Sequence, residues 1–76
     1  MNNTRRKTLC QIIEQLEELQ AQVEDVKDEE QEALDNLPES IQESDQGTRM
    51  ANNVDCLESA LSYFEDLLEA LNDGQE

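Results

Sequence analysis

Histidine and tryptophan are absent from this chain, and phenylalanine, tyrosine and proline occur once each. Glycine and cysteine occur twice, and only five residues are basic. Each shortage excludes something. Without histidine the commonest general base and metal ligand is missing, and neither a Ser–His nor a Cys–His pair can form. The Glu-x-x-His element of di-iron bundles is excluded for the same reason. Two isolated glycines cannot build a phosphate-cradling loop. Asp45-Gln46-Gly47 is too short a likeness to a calcium loop. Cys10 and Cys56 fit no metal spacing and are expected to be unpaired thiols. No apolar run nears the ~20 residues of a membrane span. The basic cluster Arg5-Arg6-Lys7 leads into Leu9, Ile12, Ile13 and Leu16, which are interleaved with Gln and Glu rather than forming a signal-peptide core. The expectation is a soluble protein of the cytoplasm. Asn2-Asn3-Thr4 matches a glycosylation acceptor, which carries no meaning there.

What is present is acid. Seventy-six residues carry 20 Asp and Glu, for a net charge of −15. From residue 8 onward those 20 acids face only Lys27 and Arg49, a balance of −18. Such a charge opposes direct binding to nucleic acid or anionic lipid. A domain of this length buries only about 60% of its unfolded surface, so it needs very regular helices or a partner.

Two periodic segments fill the chain. In the first, Leu9, Ile12, Leu16, Leu19, Val23, Val26, Ala33 and Leu37 follow a heptad with a positions at 9, 16, 23, 30 and 37 and d positions at 12, 19, 26 and 33. Glu30 alone breaks it. In the second, Met50, Val54, Leu57, Leu61, Phe64, Leu68 and Leu71 step by 4 and 3 without a fault, and Gly74 follows where helices commonly stop. Pro38 ends the first helix. Ser40 with Glu43 has capping-box spacing, Ser44 or Asp45 is placed to cap the second helix, and Gly47 takes an a position that offers no side chain. The predicted architecture is all-α: one antiparallel two-helix hairpin, coiled-coil-like, over residues 1–76, with a helix at 4–36, a link at 37–47 and a helix at 48–72.

The charges follow this frame. Glu14, Glu17, Glu18, Glu24, Asp25, Asp28, Glu32 and Asp35 point away from the seam of the first helix, as do Asp55, Asp66, Glu69 and Asp73 on the second. The e and g positions are mostly neutral or apolar, so the apolar face is wider than two helices require. A lone hairpin is expected to leave Ile13, Leu34 and Leu67 partly wet. Pairing two hairpins into a four-helix bundle would bury them, so a homodimer is expected with those three residues in its core. A hairpin of ~45 Å carrying these acids has about one carboxylate per 2.3 Å, against one phosphate per ~1.7 Å in duplex DNA. Two readings fit that density: a rod that competes for a DNA-binding groove, or a merely solvated surface.

Paired carboxylates serve acid–base chemistry only inside a pocket, and a two-helix rod encloses none. The expectation is a non-enzymatic protein with no cofactor and no dedicated metal site, with at most weak, diffuse cation binding near Glu24, Asp25, Asp28, Glu29 and Glu32. Three irregularities remain open. Glu30 marks a bend, a fray or a rim position, or else a register device paired with Lys27 or Arg49 of a neighbour. Tyr63 faces outward near Asn52, Cys56 and Ser59, as a plain surface residue or as a contact residue. Arg5, Arg6 and Lys7 oppose the dipole of the first helix and are placed to meet Glu69 and Asp73 at the far end of the second.

The link Asn36-Leu37-Pro38-Glu39-Ser40, with Ile12-Ile13-Glu14-Gln15-Leu16-Glu17 upstream and an acidic Leu-rich helix after Gly47, resembles small acidic helical proteins of Gram-positive bacteriophages and mobile elements, most of them without an assigned function. The specific part is Asn-Leu-Pro-Glu-Ser. Phages make small acidic inhibitors of host nucleases and defence proteins, often by imitating DNA. The resemblance therefore implies a host protein with a basic surface as partner, such as a nuclease or DNA-binding defence factor, met in the bacterial cytoplasm. The alternative is a coiled-coil assembly or adaptor protein.

Overall fold

Long unbroken runs of Leu, Glu, Gln and Ala favour helix, and the computed structural model, which describes residues 1–75, is built from helices alone among those residues. α1 spans Asn3–Asp35, α2 Glu39–Gln42 and α3 Asp45–Asp73. Asn2 starts α1: its side chain accepts the Arg5 amide at 2.8 Å, satisfying one of the free N–H groups of the first turn. Gly74 closes α3 as its C-cap, with negative φ, so its small size rather than a left-handed backbone suits it to the end.

The link is tighter than the sequence suggests, because α3 begins at Asp45 and takes Gly47 into its first turn. Pro38, not Ser40, stands at the N-cap of α2, and Ser40 lies inside that helix. Ser44 is the N-cap of α3, but its hydroxyl donates back to the Ile41 carbonyl instead of accepting from α3. Carbonyls at and just beyond the end of α1 are met from α2, that of Leu34 also accepting the Leu37 amide at 3.1 Å. Gln42 Nε2 donates to the Leu37 carbonyl at 2.8 Å and shares weaker bonds with those of Leu34 and Asp35.

α1 and α3 pack along their length as an antiparallel hairpin. Arg6 Nε donates to the Gln75 carbonyl at 3.0 Å, Cys10 Sγ lies 3.5 Å from Gln75 Oε1, and Asn53 Nδ2 donates to Glu30 at 3.3 Å, which fixes the register. The result is a rod of 58 × 15 × 11 Å. Its radius of gyration of 17.4 Å exceeds the ~11 Å of a compact chain of this length.

The seam itself differs from a simple a/d stripe. On α3 the a and d residues turn inward as predicted, with Val54 buried and Met50, Leu57, Leu61, Phe64, Leu68 and Leu71 half-buried. On α1 the inward line is Leu9, Ile13, Leu16, Gln20, Val23, Lys27, Glu30 and Leu34, which are the a and e positions. The d line of Ile12, Leu19, Val26 and Ala33 is exposed. A face wide enough for three helices has two edges, and a single partner covers only one of them.

Ile13 therefore corrects an expectation. It is buried within the lone hairpin, at 7% exposure, and is not left wet for a second chain. Leu34 is half-buried and Leu67 exposed, as the broad face requires. Glu30 neither bends nor frays α1, which runs on to Asp35. Within the chain it accepts from Asn53 Nδ2, and Lys27 pairs with Asp28 at 3.3 Å.

Candidate functional site

Two surfaces differ sharply in chemistry. The first is acidic. Glu14, Glu17, Glu18, Glu24, Asp25, Asp28, Glu32 and Asp35 of α1, with Asp55, Asp66 and Glu69 of α3, are all exposed. They stand off the seam because the helical period puts b, c and f positions on the far side from the a residues. Two of them have close neighbours: Asp28 has Lys27 beside it, and Asp35 accepts from Gln31 Nε2 at 2.9 Å, one turn away. These contacts are local and solvent-exposed, so they hold individual side chains without neutralising the field of the whole face.

Along the 58 Å rod the acids average about one per 3 Å. That is sparser than the 2.3 Å expected from an idealised hairpin and than the ~1.7 Å of duplex DNA. The rod is longer than a single 30-residue helix because its ends and link extend it. Only the N-terminal end is basic. Arg6 meets the Gln75 carbonyl there, and among the described residues no ion pair joins Arg5, Arg6 or Lys7 to Glu69 or Asp73.

The second surface is apolar and lies on one side of the hairpin. Leu19, Gln22, Val23 and Val26 of α1 and Leu57 and Phe64 of α3 line an open groove of about 390 Å³. A second groove of about 230 Å³ continues from Phe64 to Ala60, Tyr63 and Leu67. Tyr63, at 71% exposure, thus stands at the margin of this apolar face. It faces outward, as its c position with Asn52, Cys56 and Ser59 predicts. The signal for its place beside the groove is the g-position pair Ala60 and Leu67.

Cys10 and Cys56 are free and exposed. Among the described residues no group of His, Cys, Asp or Glu is gathered closely enough to hold a metal ion, and no helix is long and apolar enough to cross a membrane. Comparison with protein-family models, with curated proteins and with solved structures finds no match for the chain.

Proposed function

We propose that this protein is a non-enzymatic binding module that occupies a basic, nucleic-acid-binding groove of another protein by presenting an acidic rod in place of DNA. The observation that supports this reading is the exposure of all twelve outward carboxylates, Asp73 included, along one narrow rod, with two bases after residue 7 to offset them. A surface of this kind attracts a basic groove at long range and repels nucleic acid itself. The resemblance to small acidic phage and mobile-element proteins points the same way and makes a host nuclease or DNA-binding defence factor the partner, with two hairpins paired as a four-helix bundle.

A second reading has its own support. The exposed strip of Ile12, Leu19 and Val26 suits an adaptor that works by helix–helix pairing. Capture of partners from a bacterial host lysate, followed by mass spectrometry, separates the two. The DNA-mimic reading expects a nuclease or DNA-binding protein that duplex DNA displaces and that is lost steeply between low and moderate salt. Recovery of partners indifferent to DNA and salt, and released by substitutions on the apolar strip, would replace it with the adaptor reading.

A further inference from the structure

We infer that the exposed d-position strip of α1 and the groove beside it form the surface on which a second copy of this chain seats. The inference rests on the paired-hairpin part of the proposed function and names its interface. It moves that interface away from Ile13, which the hairpin already buries, to Ile12, Leu19, Val26, Phe64 and Leu67.

The lone hairpin is under-buried. Among the described residues only Ile13 and Val54 are buried hydrophobic residues, while Ile12, Leu19, Val26 and Leu67 stand 38%, 48%, 52% and 45% exposed. The chain exposes 5673 Å². A folded monomer of 8.7 kDa is expected to expose about 4,700 Å². The excess of about 900 Å² accompanies the rod shape and leaves room for the ~800 Å² that each partner buries in a standard interface.

The charge pattern selects the occupant. Between positions 12 and 26 the d and g residues of α1 are Ile12, Gln15, Leu19, Gln22 and Val26, with no charge among them. Opposite them, Leu57, Ala60, Phe64 and Leu67 are also uncharged. A basic partner is drawn to the acidic faces instead. A second copy brings the same neutral strip, which a two-fold axis makes self-complementary, and keeps both sets of carboxylates outward.

This pairing also changes the charge density. Two hairpins side by side place their acids along one rod length, at about one carboxylate per 1.5 Å, close to the ~1.7 Å of duplex DNA. The single hairpin falls short of that value.

The test is sedimentation equilibrium of the full chain at micromolar concentration, with circular dichroism on the same samples. Wild type is expected at twice 8.7 kDa. Leu19→Gln with Val26→Gln should weaken pairing about 100-fold or more, through loss of two buried apolar side chains. Ala21→Gln, on the outward f line, should leave it unchanged. A second measurement covers a variant that loses helicity. In a Cys10→Ser, Cys56→Ser background, maleimide labelling of Leu19→Cys should slow several-fold as protein concentration rises, and labelling of Ala21→Cys should not.

A wild-type monomer throughout that range overturns pairing altogether, and with it a second copy as occupant. A wild-type dimer that survives the double substitution, with Leu19→Cys labelled equally at all concentrations, overturns this surface and leaves the dimer standing. Neither outcome depends on whether the acidic faces imitate DNA.

Discussion

Gly47 is glycine because of its neighbour, not because of its heptad position. It is buried in the first turn of α3, where a Cβ would sit 2.7 Å from Gln42 Cα and overlap the Gln42 carbonyl. Backbone cannot swing aside as a long side chain can. Gly47→Ala is therefore expected to lower stability by about 2 kcal/mol, read from the midpoint of urea unfolding. Gln42 is the other half of this corner. Its amide holds three carbonyls at the end of α1, and Gln42→Ala should cost about 1 kcal/mol in the same measurement. Gln42→Glu should cost more, because a carboxylate repels those carbonyls. Neither role was legible in the sequence. Ser40 and Glu43 have capping-box spacing, yet the side chain that satisfies the helix end is a Gln with no motif around it, and its reach depends on how α2 folds back over α1.

At the scale of the helix, Ile12 and Ile13 are adjacent in sequence and belong to different environments. Ile13 faces into the hairpin and Ile12 faces out. Ile13→Ala should destabilise the fold by about 2 kcal/mol at every protein concentration. Ile12→Ala should do so only where chains pair, so its effect on thermal unfolding should fade on dilution. Equal, concentration-independent losses at both positions would mean that α1 is rotated so that its d line packs against α3. The two long helices were legible from their period, and the inward line of α3 follows its a and d residues directly. The rotation of α1 was not. Periodicity favours the d edge, with Ile12, Leu19, Val26 and Ala33, yet the edge that packs is the e line of Ile13, Gln20, Lys27 and Leu34. The polar residues Gln20, Lys27 and Glu30 on the chosen edge lay their stems along the seam and keep their polar ends near water, which is why an edge with fewer apolar residues can still serve.

For the whole molecule, salt acts in opposite directions on the two surfaces. Pairing brings two chains of −15 together through a neutral strip, so raising salt from low to physiological should tighten the dimer as repulsion is screened. A complex between the acidic faces and a basic groove should weaken over the same range. Neutralising Glu24, Asp25, Asp28 and Glu32 to Gln or Asn should reduce capture of a basic partner several-fold and leave sedimentation at the dimer mass. Loss of both together would mean that one surface serves both purposes.

The sequence by itself determined the helical class, the two long elements and the outward placement of nearly all the acid. Those properties follow from local propensity and from a 3.6-residue period that says which residues share a face. Only the tertiary structure decided which edge of α1 meets α3, why position 47 must lack a side chain, and that Ile12, Leu19 and Val26 are left exposed. Each of these depends on the rotation of one helix about its own axis relative to another. That rotation is set by packing between residues far apart in the chain, which periodicity within one helix does not encode.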